Sequence, residues 1–208
     1  MENDFSATGR RDRLIAAGRE VARREAAAAR AAGESLGGDF AAACELVLAA
    51  SGRVICSGIG KSAVIARKLA ATLASLGTPA AFLHAADAPH GDLGMIVAGD
   101  VVIVFSHSGT TAEAVAVAAA ARDLGAAVIA VTDVEGSPLA RAADVTLCPQ
   151  VAEEADHLGL APTASTTAAI VVADALAVAV ASERGFSRED FARYHPGGAL
   201  GEAARAPT

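Results

Sequence analysis

Two short segments carry groups that could bind an anion. Gly58-Ile59-Gly60-Lys61-Ser62 follows a β-branched run, and its glycines would let backbone N–H groups approach a phosphate at the start of the next helix. Ser106-His107-Ser108-Gly109-Thr110-Thr111 follows another such run and offers hydroxyl donors beside exposed amides. The two segments predict a phosphate site that includes Gly60, Ser62, Ser106, Ser108, Gly109 and Thr111.

The glycine-rich segment has two nucleotide-binding alternatives. A Walker P-loop would need a glycine at position 55, where the chain has Ile55, and the third predicted strand lacks a terminal aspartate for magnesium. The residues Gly58 to Ala63 do fit the dinucleotide fingerprint G-x-G-x-x-A, which keeps a nicotinamide dehydrogenase open. That function is disfavoured because Asp87 lies several residues beyond the second strand, away from where a ribose would be bound.

Lysine is rare in this chain, in which most basic residues are arginine. Lys61 and Lys68 are the only lysines among 17 basic residues. A compact ammonium group at this place suggests a point charge against a phosphate or a developing oxyanion, although an ordinary helix-surface charge is the alternative.

Two glutamates are candidates for acid–base chemistry. Glu154 lies with Glu153, Asp156 and His157 in a loop of about 17 residues, which is long enough to suggest a function, although acidic loops are usually only solvated. Glu113 follows the hydroxyl-rich segment, where Thr110-Thr111-Ala112-Glu113 also matches a helix capping box.

Taken together, the segments resemble sugar isomerase (SIS) domains, and most closely the arabinose 5-phosphate isomerase family. The resemblance extends over nearly the whole chain, in the order and spacing of that family. The segments that carry it are Gly58-Ile59-Gly60-Lys61-Ser62, His90-Gly91-Asp92-Leu93-Gly94-Met95, Ser106-His107-Ser108-Gly109, Ala142-Ala143-Asp144-Val145, Gly159-Leu160-Ala161-Pro162-Thr163, Ser165-Thr166-Thr167-Ala168 and His195-Pro196-Gly197-Gly198-Ala199-Leu200-Gly201.

The resemblance implies isomerisation of D-arabinose 5-phosphate and D-ribulose 5-phosphate without a cofactor. We also expect no metal, because the sequence has no Cys/His cluster with ligand spacing. The resemblance also implies a five-stranded flavodoxin-like sheet and a phosphate held by the Ser/Thr loop. By motif position, the family's essential residues fall on Lys61, Glu113, Glu154 and His195, with His90 in support.

The chain departs from the family pattern in three respects. Asp87 stands where the family often has glutamate, and His107 stands where asparagine is usual. Family members commonly continue into two regulatory CBS modules, whereas this sequence ends at Thr208, and we expect control through such modules to be absent. Reaction class is therefore more firmly implied than substrate.

Isomerisation through an enediolate needs a base for a C–H proton and a group that moves protons between O1 and O2. Glu154 or Glu113 is the candidate base, and Glu154 is preferred because Glu113 has the capping alternative. The other carboxylate or His195 would pass protons between O1 and O2. Lys61 would stabilise the negative charge of the enediolate or of the phosphate. A sugar-phosphate-binding regulatory module and a hexulose-phosphate isomerase remain alternative functions.

These residues must be positioned by a three-layer, doubly wound α/β domain. Short apolar β-branched runs alternate with helical segments, which is typical of a five-stranded parallel sheet covered on both faces. We divide the chain into an N-terminal helix and turn, 1–38, and a SIS sugar isomerase domain, 39–208. The predicted strands are 54–56, 81–83, 101–105, 128–131 and 145–147, and the predicted helices are 10–32, 39–50, 62–76, 111–124, 137–142, 166–181 and 187–194.

Composition restricts the partners. The 208 residues are 53% hydrophobic with a formal net charge of −7, which favours a globular protein that does not bind nucleic acid. Cys44, Cys56 and Cys148 are far apart and fit reduced, packed thiols. We expect no leader at Met1 and no membrane span, and hence a cytoplasmic protein. We expect the first helix and the tail to pack against other subunits of a homo-oligomer, either a dimer or a tetramer.

Overall fold

The computed structural model describes residues 7–205. The outer ends of both predicted domains lie outside these residues, as does the start of the chain, for which we expect no leader. The strands are β1 Val54–Gly58, β2 Ala80–His84, β3 Val101–Phe105, β4 Ala127–Val131 and β5 Val145–Leu147. The α-helices are α1 Ala7–Glu34, α2 Gly38–Ala49, α3 Lys61–Ser75, α4 Ala112–Asp123, α5 Pro138–Ala142, α6 Ala164–Glu183, α7 Arg188–Tyr194 and α8 Ala199–Arg205. Two short 3₁₀ helices, Ala88–His90 and Asp92–Met95, connect β2 to β3.

The five strands form one parallel sheet in the order β2-β1-β3-β4-β5. Every residue of β1 and β3 is buried, as expected for central strands covered on both faces. Strand order reverses between β1 and β3, where open parallel sheets bind their ligands. The predicted five-stranded, doubly wound fold is confirmed.

Alternate strand residues face two separate apolar cores. Val54 and Cys56 of β1 belong to the core beneath α2, α3 and α6, whereas Ile55 belongs to the core beneath α4 and α5. The larger core is built mainly from Ala, Val, Leu and Ile, in keeping with the 3% aromatic content. This arrangement holds the ends of β1 and β3 rigidly beside each other.

The first helix packs on the main core. Ala32 of α1 is fully buried in the core beneath α6, and the hydroxyl of Thr167 on α6 donates to the Glu25 carboxylate at 3.1 Å. The division of the chain at residue 38 stays a prediction, since these contacts join α1 to the domain that follows.

Helix α6 is the most apolar element. Its 20 residues would be long and apolar enough to cross a membrane, but half of that segment is buried inside the fold. Its packing against α1, α2 and α3 is what a core helix of a globular domain requires.

Candidate active site

A cavity of about 310 Å³ opens at the carboxyl ends of β1, β3 and β4. It lies where strand order reverses, with the glycine-rich loop after β1 on one side and the hydroxyl-rich loop after β3 on the other. Its lining includes the predicted site residues Lys61, Ser62, Ser106, Ser108 and Thr111. The structure therefore brings the two predicted anion loops to one pocket.

The glycine-rich loop leads directly from β1 into α3. A Cβ on Gly58 would lie 2.9 Å from the backbone carbon of Ser62, so only glycine allows this close approach. Gly60 has φ +59° and ψ −131°, a conformation that residues with a side chain rarely adopt. These glycines place Lys61 and Ser62 at the first turn of α3, where free N–H groups favour an anion.

The hydroxyl-rich loop is held by its own side chains. Ser106 is only 4% exposed, and its Oγ lies 3.0 Å from Oγ1 of Thr111. The Oγ of Ser108 lies 2.9 Å from Oγ1 of Thr110 and accepts the Thr110 N–H at 3.3 Å. The hydroxyls are thereby clustered at the N-terminus of α4, beside the cavity.

Gly109 makes the tight turn of that loop possible. Its φ is +63°, and a Cβ there would overlap Oγ of Ser137 and lie 2.8 Å from Oγ1 of Thr132. The Gly109 carbonyl accepts the N–H of Leu139 at 3.0 Å, which joins the loop to α5. No larger residue fits without displacing the loop.

The capping box matched by Thr110 to Glu113 is not formed. The residue before α4 is Thr111, and its side chain makes no capping hydrogen bond because it contacts Ser106 instead. Within residues 7–205, the half-buried Glu113 carboxylate has no hydrogen-bond or ion-pair partner, and Glu113 is absent from the cavity lining. The structural alternative that counted against Glu113 as a base is therefore not realised.

Glu154 has the capping role instead, on α6. Its Oε2 accepts the N–H groups of Thr163 and Ser165 at 2.8 and 3.2 Å and the Thr163 hydroxyl at 3.1 Å, while Oε1 accepts the Ser165 hydroxyl. Burial raises the pKa of the Glu154 carboxyl, but these hydrogen bonds outweigh it and hold the pKa below its ordinary value. The carboxylate that sequence reasoning preferred as base is thus heavily hydrogen-bonded.

A second cavity of about 500 Å³ adjoins the first. It is lined by Glu154 and the acidic loop that contains it, together with Arg24 of α1. His107 lines both cavities. The second cavity therefore connects the hydroxyl-rich loop to the long loop after β5.

The sequence alone distinguishes His107 only as a departure from a family pattern. Its Nδ1 lies 3.0 Å from Oδ2 of Asp133, which follows β4 and also lines the first cavity. The contact with Asp133 raises the pKa of the His107 imidazole; burial opposes this, and the charges of Asp133 and Glu154 add to the rise. The His-Asp pair could not be found from spacing because 26 positions of chain separate its members.

The structure does not bring His90 or His195 to this cavity within one chain. His90 is exposed on a 3₁₀ helix after β2. The His195 ring stacks on Phe191 with 3.9 Å between centroids, donates from Nδ1 to the Phe191 carbonyl at 2.8 Å and contacts Oγ of Ser75 through Nε2 at 3.0 Å. Ser75 ends α3 and Lys61 begins it, so His195 lies about 21 Å along that helix from the cavity.

The remaining candidate ligands are not clustered. Within the described part of the chain, no three His, Cys, Asp or Glu side chains are grouped so that they could hold a metal ion. Cys44, Cys56 and Cys148 are free thiols, and burial raises the pKa of the Cys56 thiol.

Comparisons with known proteins give a consistent result. The SIS domain family model matches residues 47–179. Arabinose 5-phosphate isomerase KdsD of Pseudomonas aeruginosa is 54% identical over 166 residues, 80% of this chain and 51% of the relative. Arabinose 5-phosphate isomerase GutQ of Salmonella typhi is 48% identical over 190 residues, 91% of this chain and 59% of the relative. The chain thus spans only about half the length of the curated relatives it matches.

Among solved structures, c3406 of E. coli CFT073 in complex with arabinose 5-phosphate is 41% identical. It superposes with a TM-score of 0.82 over 89% of this chain and 98% of that chain.

Proposed function

The chain belongs to the SIS-domain family, and on that premise we propose that it is an aldose–ketose isomerase that interconverts D-arabinose 5-phosphate and D-ribulose 5-phosphate through an enediolate. The observation that carries this proposal is the cavity between two anion-binding loops, with Lys61 at its edge. Two relatives that are 54% and 48% identical to this chain are named arabinose 5-phosphate isomerase. A solved structure that is 41% identical was determined in complex with arabinose 5-phosphate.

The substrate phosphate would bind to the hydroxyl-rich loop. Ser106, Ser108 and Thr111 offer three hydroxyl donors at the N-terminus of α4, where the helix dipole also favours negative charge. Gly60 and Gly109 would shape the two loops, and Ser62 would add a donor at the start of α3. The sugar would then extend from the phosphate toward the rest of the cavity.

We assign removal of the C2 proton to Glu113, which lies in the first turn of α4 two residues after Thr111. Glu113 lines neither cavity of its own chain, so this role requires the sugar to reach past the lining of the first cavity. A general base needs a free lone pair, and the Glu113 carboxylate has no partner within residues 7–205, whereas Glu154 accepts four hydrogen bonds. Those bonds also lower the pKa of Glu154, which makes it a weaker base. Glu154 would instead fix the loop after β5, and Lys61 would stabilise the oxyanion of the enediolate.

This reaction needs no added cofactor. Moving one hydrogen from C2 to C1 oxidises one carbon and reduces its neighbour, so electrons balance within the substrate. The reaction therefore needs no nicotinamide, and we propose that it also proceeds without a metal, because acid–base groups and the positive charge of Lys61 can lower the barrier.

The active assembly would be a homo-oligomer, a dimer or tetramer, in the cytoplasm. His195 lies at the far end of α3 from the cavity of its own chain, so a catalytic role for it requires a second copy. The long helix α1 exposes Leu14 and Ile15, which supports its use as a packing surface. Free cysteines agree with a reducing compartment.

A panel of sugar phosphates tests the proposal. The rate of isomerisation should be highest with D-arabinose 5-phosphate and D-ribulose 5-phosphate, measured as kcat/KM by direct separation of the two sugars. Faster turnover of a hexulose phosphate would reassign the substrate. Tight binding of a sugar phosphate without any turnover would indicate a regulatory binding module.

A further inference from the structure

The first cavity contains an acidic side chain beside its anion-binding loop. Within the described residues, the ionisable side chains that line this cavity are those of Lys61, His107 and Asp133. The Asp133 side chain is only 10% exposed, and a negative charge there opposes the binding of a phosphate to Ser106 and Thr111 on the same wall. Phosphate binding therefore depends on what balances the charge of Asp133.

His107 is the group placed to balance that charge. Its Nδ1 lies 3.0 Å from Oδ2 of Asp133, while Oδ1 accepts the Gln150 N–H at 2.8 Å. Within residues 7–205, no lysine or arginine forms an ion pair with Asp133. The His107 carbonyl also accepts the Thr132 hydroxyl and the Asp133 N–H, both at 3.1 Å, so the two loops are joined before any ligand binds.

The charge of this pair depends on the protonation of His107. With a protonated imidazole the pair is neutral, and with a neutral imidazole it carries the charge of Asp133. The contact with Asp133 raises the pKa of the His107 imidazole above its ordinary value of 6.5. The neutral pair is therefore complete below pH 6.5 and is lost as the pH rises through the raised pKa.

Other charged groups face the ring from both cavities. Acids there favour the protonated imidazole, whereas Lys61 and the bases of the second cavity oppose it. Those of the second cavity are the acids Glu153, Glu154 and Asp156 and the bases Arg24 and His157. Within the described chain, Asp133 is the carboxylate that comes within ion-pair distance of the His107 ring. A phosphate bound beside the ring would add negative charge, so phosphate binding and protonation of His107 should reinforce each other.

We propose that the His107–Asp133 pair sets the affinity of the first cavity for a phosphosugar through its charge, and that binding of the phosphosugar takes up a proton on His107. This inference rests on the phosphosugar binding in the proposed function, and it does not depend on which residue is the catalytic base. His107 stands where the family usually has asparagine. The pair therefore adjusts binding and takes no part in making or breaking bonds.

The expected effect follows from one unit of charge in a small cavity. Because 54% of the His107 side chain is exposed, solvent screens the charge, and the affinity for an anion should change by roughly tenfold. The phosphate group of the ligand also titrates, near pH 6. Its titration is common to every variant, so it cancels when the Kd of a variant is divided by the Kd of the unchanged protein at the same pH.

The test measures binding of D-arabinitol 5-phosphate by calorimetry at about pH 6 and about pH 9. This ligand has no carbonyl group, so it cannot isomerise. His107→Asn should bind about tenfold more weakly than the unchanged protein at the lower pH and within about twofold of it at the higher pH. The double variant His107→Asn, Asp133→Asn should bind like the unchanged protein at the lower pH, because its pair is again neutral.

His84→Asn is the matched control. His84 also lies near an aspartate, Asp87 at 3.7 Å, but it lines neither cavity, so its Kd ratio should stay close to one at both pH values.

The outcomes separate this inference from the proposed function. Equal binding by His107→Asn and the unchanged protein at the lower pH, or a Kd ratio that does not fall at the higher pH, overturns the inference. Weak binding by the double variant also overturns it, since His107 would then act through a direct contact and not through the charge of Asp133. A Kd ratio in His84→Asn that follows the ratio in His107→Asn overturns it as well. Turnover of D-arabinose 5-phosphate is measured separately: its absence in the unchanged protein overturns the isomerase function, whereas the pH-dependent Kd ratio would still support the role of the pair.

Discussion

The two glutamates should separate stability from catalysis when each is changed to glutamine. Glu154→Gln keeps the size of the side chain, and its amide can still contact Thr163 and Ser165, but it removes the charge from four hydrogen bonds and from the N-terminus of α6. A charged hydrogen bond contributes about 1.5–3 kcal/mol and a neutral one about 0.5–1.5. A loss of about 1–2 kcal/mol in the free energy of unfolding is expected, since Glu154 remains partly exposed.

Glu113→Gln should show the opposite pattern. Its carboxylate has no partner within the described residues, so the change removes only a helix-terminus attraction of about 0.3–1 kcal/mol. If Glu113 removes the C2 proton, kcat should fall by about 10²–10⁴-fold while the sugar phosphate still binds.

The assay combines thermal unfolding with steady-state kinetics on the same samples. At about 2–4 °C per kcal/mol for a chain of this size, Glu154→Gln should lower Tm by about 2–8 °C, and Glu113→Gln by no more than about 4 °C. Abolished turnover in Glu154→Gln with an unchanged Tm, beside a nearly active Glu113→Gln, would refute the reasoning and make Glu154 the base.

Three further predictions concern the loops. Removing one hydroxyl from the loop after β3 should weaken binding of D-arabinose 5-phosphate about tenfold by calorimetry, with the exposed Ser182→Ala as an unaffected control. The loop variants are Ser106→Ala, Ser108→Ala and Thr111→Ala. Gly109→Ala should lower Tm by roughly 4 °C or more because of its positive φ and the approach to Ser137, whereas Gly18→Ala in α1 should not lower it. The charge of Glu154 contributes stability above the unfolded pKa of 4.5, and this contribution is lost as the pH falls through the lowered pKa of the folded state. The difference in Tm between the unchanged protein and Glu154→Gln should therefore be constant from pH 7 to about 5 and shrink below about 4.5. A constant difference down to pH 3 would contradict this.

The sheet and both anion loops could be predicted from sequence because their signals are local. Each strand is a short β-branched run, and the loops Gly58 to Ser62 and Ser106 to Thr111 directly follow β1 and β3. Once parallel strands are expected, their carboxyl ends must meet at one edge, which brings the loops together.

The roles of the glutamates could not be predicted because they depend on loop contacts between residues five to eleven positions apart, which no fixed sequence spacing describes. A capping box at Thr110 to Glu113 matches by spacing, but Thr111 contacts Ser106 at the end of the preceding strand instead. Glu154 caps a helix that begins ten residues later, through a loop whose course no short pattern describes. The capping pattern and the loop contact with Ser106 compete for the Thr111 hydroxyl, and the loop contact prevails.

The histidines illustrate the same limit. His195 belongs to a segment that resembles a family motif, but stacking on Phe191 and a contact with Ser75 hold it at the opposite end of α3. In the sequence, His107 differs from its neighbours only as a residue that replaces asparagine, and its partner Asp133 follows a different strand. A motif gives the identity of a residue, whereas the packing of helices on the sheet decides which site it can reach.

The most direct test of the central claim is proton NMR of D-arabinose 5-phosphate in deuterated water with a chelator present and no nicotinamide added. If the cavity isomerises sugar phosphates through an enediolate, ribulose 5-phosphate should accumulate to equilibrium, with loss of the C2 proton signal and solvent deuterium at C1 of the ketose. An absence of ketose, or its formation only when a divalent metal or NAD is supplied, would contradict the account.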